Sequence, residues 1–322
     1  MPSILDDVET IRKLWRGFWP SRVILTANNY RVFEHLKSAK SAREVARILG
    51  TDVRATAVLL DALTGLELMK KASSKYRNTA LAGRLLVSGS PYYQGDILRH
   101  ADILWKNWSG LDEVVRTGKP HHVAHDQDSF IRGMHNIAIL KSRDVIRAVG
   151  LRGVKKALDL GGGPGTYAME MAGKKVSVTL FDRPGTIEIA KSVIRESGVR
   201  NIDFRCGDFL QDDIGRDYDL IFISQVLHSC SKDECMQVIK KAKDALNPGG
   251  RVVVQEFYLE EDRTYPVNSA LFSVNMLVNT MAGRCYSVSE IRGWLSNAGL
   301  RDIRKQPLDD TVLVFGKKAG RP

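Results

Sequence analysis

Cysteine is scarce in this chain. Its four cysteines, Cys206, Cys230, Cys235 and Cys285, include no CxxC pair, so neither a zinc framework nor a disulfide scaffold is expected and reduced, partly buried thiols are. No apolar run approaches the roughly 20 residues of a membrane span. The opening MPSILDDVETIRKLWRGFW has no signal-peptide pattern, and the reading is a cytoplasmic protein with no membrane partner. No internal repeat or low-complexity tract occurs, which sets repeat architectures aside. The pattern GxxxxGK followed by Ser or Thr is absent, which removes the phosphate-loop nucleotide triphosphatases. The segment HHVAHD, His121 to Asp126, gathers histidines in a polar, loop-like stretch without a fixed ligand spacing, and no metal is expected.

What is present fits two domains. The 322 residues, 43% hydrophobic and 26% charged, suffice for two cores of ordinary composition. Up to about residue 70 the pattern is helical: ETIRKLWRGFW and SRVILTANNYRVFEHL place apolar residues at helix spacing. SAREVARILG opens on a capping box, Ser41 with Glu44, and stops at Gly50. DVRATAVLLDALTGLELM reads as a second short helix, and KKASSKYRN as a turn between two short strands, so the region has the order of a winged helix. The net charge is +11, and residues 1–100 carry 16 Lys and Arg against 9 Asp and Glu, which raises the question of nucleic acid. The basic residues are scattered, however, and TDVRATAVLLDALTGLEL has one Arg and no dense basic face for a groove. No nucleic-acid partner is expected, and a winged-helix DNA-binding regulator remains the alternative from another class. DSFIRGMHNIAILKSRDVIRAVG then reads as one long helical stretch.

From Val154 strands and helices alternate: KKALDL, GTYAMEMAG, SVTLFD, GTIEIAKSVIRESG, IDFRCGDF, YDLIFIS, SKDECMQVIKKAKDAL, the turn NPGG and RVVVQEF. This order implies a doubly wound parallel sheet with helices on both faces and a ligand beyond the carboxyl ends of its strands. LDLGGGPGTYAME, with its glycine loop, stands at one such end. Gly163, Gly165 and Ala168 fit the permissive GxGxxA dinucleotide form, and Asp182 falls where a ribose-binding acid belongs. On those residues alone NAD and S-adenosylmethionine stand nearly even. Three features favour the sulfonium cofactor: the acidic strand end Asp159-Leu160-Gly161; Asp208 in CGDF, placed to accept from an adenine amino group; and His228 in SQVLHSCSKDEC, at the mouth of the same crevice and followed by the cap Ser231 to Glu234.

With those residues in view, the sequence resembles the class I S-adenosylmethionine-dependent methyltransferases, and within them the small-molecule O-methyltransferases of the plant caffeate type and the bacterial hydroxyneurosporene and acetylserotonin-like type. WSGLDEVVRTGKP, FIRGM, LDLGGGPG, FDRPG, GDF, VLH, NPGGRVVVQE and NMLVNT follow in family order over nearly the whole chain. The resemblance implies an α/β fold: a Rossmann-like methyltransferase sheet over residues 96–322 and an N-terminal all-α winged-helix dimerisation domain over residues 1–95, forming a homodimer. It implies that Gly161, Gly162 and Gly163 pass the methionine part of S-adenosyl-L-methionine, that Asp182 takes the ribose, and that Asp208 and Phe209 hold the adenine. Ser224 stands where plant members carry a cofactor-contacting lysine. Phe130 and Met134 would lie over the reacting centre, and Asn275, Met276 and Asn279 would line the acceptor pocket, although Phe130, Met134 and Met276 suit a plain helix core equally.

His228 matches the family's general base, which takes the proton of a phenol as it attacks the methyl group. An imidazole that titrates near neutrality suits the task. The plant pattern surrounds this histidine with acids; here Ser229 follows it and Cys285 occupies the second position, leaving Glu256 of VVVQEF as the candidate partner. The expectation is a methyltransferase acting on a small-molecule acceptor, an aromatic or polycyclic hydroxyl, without metal. A C- or N-methyltransferase, or a non-methylating relative of the fold, is the alternative within the class, since sulfonium transfer needs little beyond an aligned acceptor and excluded solvent.

Overall fold

The structure, a computed structural model, describes residues 3–320. It divides between Asp102 and Ile103 into two compact units.

The first unit opens with α1 (Ile4–Arg16), started by a reciprocal Ser3–Asp6 capping box and burying none of its side chains. Next come α2 (Phe18–Asn29) and α3 (Val32–His35). β1 (Lys40–Ser41) leads into α4 (Ala42–Leu49), which has the expected Ser41–Glu44 box and ends at Gly50 with φ 66°. α5 (Val53–Gly65) is capped by Asp52. β2 (Met69–Ala72) and β3 (Lys75–Asn78) are joined through Ser73 and Ser74, both at positive φ (47° and 62°). Two left-handed residues give the turn the twist an antiparallel hairpin needs. The unit is therefore not purely helical. β1 pairs with β3 to make a three-stranded sheet of order β1-β3-β2, and two residues are too few for any periodicity to reveal β1. Phe33, Leu36, Val45, Leu60, Leu63 and Tyr76 form the core. α6 (Ala80–Leu85) follows, and α7 (Gly95–Trp108) runs through the division.

The second unit continues with α8 (Leu111–Thr117), α9 (Gln127–Ala138) and α10 (Ser142–Val149). The single long helix expected here is two helices. The break falls at Ile139–Lys141, where apolar Ile139 and Leu140 are exposed and Lys141 turns out to pair with Asp310 at 2.6 Å. The alternating segment forms as its pattern dictates: β4 (Lys156–Leu160), α11 (Thr166–Ala172), β5 (Ser177–Asp182), α12 (Pro184–Ser197), β6 (Ile202–Cys206), β7 (Tyr218–Ser224), α13 (Lys232–Ala245) and β8 (Leu246–Phe257). The NPGG turn bulges out within β8, between the Tyr218–Leu246 and Leu220–Arg251 pairs. α14 (Val267–Asn279), α15 (Val288–Asn297), β9 (Arg301–Leu308) and β10 (Thr311–Lys317) complete the unit.

The sheet order is β6-β5-β4-β7-β8-β10-β9. Neighbours are parallel except at β10, which runs antiparallel to both β8 and β9. Alternate residues serve opposite faces, as the strand period requires. Ile221, Ile223, Val252 and Val254 pack with α13 and α15, while Leu220, Phe222 and Val253 pack with α10, α11 and α12. Chain order reverses between β4 and β7, which is where an open α/β sheet leaves its ligand crevice. No described helix is long and apolar enough to cross a membrane.

Candidate active site

The glycine loop leaves β4 with Gly161 N–H and Gly162 N–H both directed at the Phe181 carbonyl of β5 (2.8 and 3.3 Å). Two of its glycines are required for different reasons. At Gly162 a Cβ would lie 2.2 Å from Leu180 Cδ1 and 2.6 Å from Asp159 Cγ, so close packing beneath the loop demands glycine. At Gly163 the backbone is left-handed (φ 53°), and a Cβ would meet no protein atom within 4 Å. That position faces open space. Asp182, at the end of β5, accepts from Gly163 N–H (2.9 Å) and Arg183 N–H (2.7 Å), and burial raises its carboxyl above the ordinary value. Asp208, after β6, accepts from Leu210 N–H at 2.9 Å, and its second oxygen lies 3.8 Å from Arg183. Phe209 packs on the sheet core beside it. Ser224, at the end of β7, donates to Gln255 at 2.9 Å, so its hydroxyl is committed along the sheet.

Asp159 belongs to the acidic strand end that the sequence singled out, although it was given no site role of its own. Its side chain is 0% exposed, and neither oxygen closes a hydrogen bond. Burial pushes its carboxyl up to about 7, and the nearby Asp182 adds to the rise. A carboxyl raised that far is partly protonated near neutrality, so it carries no full charge with which to choose between an anionic and a cationic ligand. The open face of Gly163 beside the Asp182 carboxyl fits a nucleoside placed above the loop.

Past β7 the chain makes a short 3-10 turn, Leu227–Ser229. Glu256 of β8, 2% exposed, holds it. One carboxylate oxygen accepts from the backbone N–H groups of Leu227 (2.8 Å) and His228 (3.3 Å); the other lies 2.8 Å from His228 Nδ1. A carboxylate only accepts, so Nδ1 donates and Nε2 keeps a lone pair. Ser229 and Cys285 have other partners: Ser229 donates to the Val226 carbonyl, and Cys285 N–H donates to Ser273. Phe272 of α14 meets the imidazole edge-on (centroids 5.0 Å apart), and Phe257 stacks on Phe272 at 4.4 Å. Sequence reasoning missed both phenylalanines, since only the fold brings β8 and α14 against the histidine.

α9, which carries Phe130 and Met134 one turn apart, is tied to the helices that follow the strand ends. His135 Nδ1 lies 2.8 Å from the Thr166 hydroxyl, and Gln127 donates to Thr186 at 3.3 Å. On α14, Asn275, Met276 and Asn279 share a side with Phe272. Asn275 accepts from the Trp108 indole at 2.8 Å, and Asn279 accepts from Asn107 at 3.0 Å. Trp108 and Asn107 were likewise not anticipated. In HHVAHD, the His121 ring packs against Gly110 and the His121 backbone N–H donates to the Val278 carbonyl; among the described residues no cluster could hold a metal ion.

A family model for the O-methyltransferase domain matches residues 95–301, and one for the O-methyltransferase dimerisation domain matches residues 13–88. The chain is 32% identical over 319 residues to 3-hydroxy-5-methyl-1-naphthoate 3-O-methyltransferase of Streptomyces sahachiroi, covering 94% of this chain and 90% of that protein. It is 31% identical to acetylserotonin O-methyltransferase of Gallus gallus, covering 96% and 97%. The crystal structure of human N-acetylserotonin methyltransferase in complex with S-adenosylmethionine superimposes with a TM-score of 0.88 at 26% identity, over 99% of this chain and all of that one. Sheet order, glycine loop and strand-end acids already define a nucleoside-binding α/β enzyme. The chain belongs to the O-methyltransferase family and is an S-adenosylmethionine-dependent O-methyltransferase.

Proposed function

We propose that this enzyme methylates a hydroxyl of an aromatic or polycyclic small molecule, with His228 Nε2 as general base and Glu256 as the residue that orients it. The observation that carries the reading is the 2.8 Å contact between His228 Nδ1 and Glu256. It leaves Nε2 to take the proton of an attacking hydroxyl, and it keeps a counter-charge beside the imidazolium that forms. Phe257 and Phe272 keep water from the ring, so the proton has one recipient. In the cofactor site Gly161 to Gly163 pass the methionine part, Asp182 receives the ribose hydroxyls, and Asp208 with Phe209 holds the adenine. Ser224 forms part of the crevice wall. When bound, S-adenosylmethionine supplies an electrophilic methyl on a cationic sulfur. Phe130, Met134, Asn275, Met276 and Asn279 line the acceptor side. The names of the Streptomyces and chicken relatives, a hydroxynaphthoate 3-O-methyltransferase and an acetylserotonin O-methyltransferase, support an acceptor of this class.

Residues 1–95 serve as the dimerisation domain of a homodimer and residues 96–322 as the catalytic domain. The test is methyl-labelled S-adenosylmethionine offered with a panel of hydroxyarenes in the presence of a chelator. The expected products are O-methyl ethers. Label appearing only on nitrogen or carbon, or no transfer to any hydroxyarene by cofactor-saturated enzyme, overturns the reading.

A further inference from the structure

We infer that Cys230 and Cys235 form a dithiol that a hydroperoxide closes reversibly to a disulfide, and that closure loosens the turn carrying His228 and so lowers methyl transfer. The second half rests on the reading of His228 as the base.

The pair is set by the start of α13. Ser231 caps that helix and shares a reciprocal box with Glu234. Cys230 therefore stands just before the cap and Cys235 at the fourth helical position, the two places whose side chains pack on each other across a helix start. All four cysteines are free, and these two thiols lie within hydrogen-bonding reach of each other. Their backbones are held separately. Tyr286 donates to the Cys230 carbonyl at 2.6 Å, and Cys235 N–H donates to the Ser231 carbonyl at 2.9 Å. The sulfurs also support the catalytic turn: Cys235 Sγ donates to the Leu227 carbonyl at 3.3 Å and Cys230 Sγ to the Val226 carbonyl at 3.8 Å.

The two thiols are not equivalent. Hydrogen bonding between them holds the Cys230 thiol below the usual thiol range and pushes the Cys235 thiol up. Cys230 is thus the one that ionises and attacks. Ser229, whose hydroxyl lies 3.8 Å from Cys230 Sγ, is exposed and brings solvent to within one residue of that sulfur. The Cys230 thiolate attacks one peroxide oxygen and breaks the O–O bond, giving a sulfenic acid and hydroxide. The Cys235 sulfur then attacks the Cys230 sulfur, and the hydroxyl leaves as water with the proton that Cys235 gives up. In sum, two thiols and one hydrogen peroxide give one disulfide and two waters. Closure draws the sulfurs from hydrogen-bonding separation to about 2.05 Å and leaves neither with a proton. The Val226 and Leu227 carbonyls lose those donors, so the turn keeps Glu256 on its N–H side and is weakened on its carbonyl side. A displacement of about 1 Å at a reacting group can cost roughly 10²-fold in rate.

The experiment treats the full-length enzyme, in a Cys206→Ser background that removes the exposed cysteine, with hydrogen peroxide and then with dithiothreitol. Trypsin cuts after Lys232, between the two sulfurs, so a closed pair appears by mass as peptides 217–232 and 233–240 joined with the loss of two hydrogens. As the joined species accumulates, kcat for a hydroxyarene is expected to fall by on the order of ten- to a hundred-fold and to recover in dithiothreitol. S-adenosylmethionine affinity, read by calorimetry, should stay nearly constant throughout. Cys230→Ala should hold its own starting turnover under peroxide. Cys235→Ser, which keeps a donor for Leu227, should instead leave the Cys230 sulfenic acid to be trapped as a dimedone adduct. No joined peptide, or a joined peptide with turnover unchanged, overturns the inference, as does an equal loss of activity in Cys230→Ala. Wild-type turnover in His228→Ala before any peroxide is added sinks the base reading, and the switch falls with it even where the disulfide forms.

Discussion

Glu256 acts with both of its oxygens, one on the backbone of the turn that carries His228 and one on the imidazole itself. Without such a partner, replacing the base costs toward the lower end of the usual range; with it, the imidazolium is stabilised and the loss should be larger. His228→Ala is expected to lower kcat by roughly 10³–10⁴ and to leave S-adenosylmethionine affinity nearly unchanged, because the proposed nucleoside contacts lie on other loops. Glu256→Gln tests the same link differently. If its oxygen keeps the two backbone N–H groups, its amide donates to Nδ1, and the proton moves to Nε2, the wrong nitrogen for a base. Turnover should fall by about 10² or more in a protein that still binds cofactor, read by steady-state kinetics and calorimetry; wild-type turnover in this variant would make His228 structural. Asp159 carries a separate prediction about stability. Its buried carboxyl is pushed up to about 7 from the ordinary 3.8, so between those values the folded chain keeps a proton that the unfolded chain has released. Its contribution is therefore fully favourable below the lower value and is lost as pH rises through the upper one. Asp159→Asn removes this pH dependence and leaves a buried amide whose cost does not titrate. The variant should gain on wild type by up to about 4 kcal/mol between about pH 4 and pH 8, measured by denaturant unfolding; a difference that is flat with pH would refute a buried, protonatable Asp159.

The glycine loop is an element whose two sides make different demands. Gly162→Ala drives a methyl into Leu180 and Asp159, and overpacking of that kind should cost about 1–3 kcal/mol of stability. Gly163→Ala meets no protein atom; it pays only the left-handed backbone penalty of roughly 1–2 kcal/mol, yet its methyl fills the space a cofactor needs. Melting and calorimetry on both variants separate the cases, with cofactor affinity expected to fall even where Gly163→Ala remains well folded. Such loops were legible because their signals are local. Four glycines after an apolar strand, the Ser41–Glu44 and Ser231–Glu234 boxes, and acids at the strand ends all sit within a few residues of one another. What was illegible depends on distant partners. Lys40–Ser41 becomes a strand only because β3 lies beside it. The helix over residues 127–149 breaks where Lys141 finds Asp310. β9 and β10 went unread at the edge of the sheet. Glu256 was named as a partner by elimination, but its hold on the turn backbone, the Phe257–Phe272 wall and the Asn107–Asn279–Asn275 chain join segments far apart in sequence, and no spacing rule connects them.

At the scale of the whole molecule, α1 poses the main question. It is a capped helix of 13 residues with none of its side chains buried, and Ile4, Leu5 and Leu14 are each about three-quarters exposed, with Ile11 and Trp15 also open. An isolated helix of that length is marginal in water, and an exposed apolar face of that extent marks an interface. The dimerisation-domain model matched over residues 13–88 supports a second copy of this chain as the cover, with an isologous contact in which each α1 packs on the partner. Because α1 contributes nothing to the core of its own unit, it can be altered without opening that core. Ile11→Asp combined with Leu14→Asp is expected to convert the dimer to a monomer at micromolar concentration, read by sedimentation, while the helical content and the Phe33–Leu60–Tyr76 core survive. Deleting residues 1–16 should do the same unless the newly exposed α2 face aggregates, which is why the double substitution is the cleaner probe. A dimer that persists unchanged in the double variant would place the interface elsewhere on the chain and leave the exposed face of α1 to some other partner.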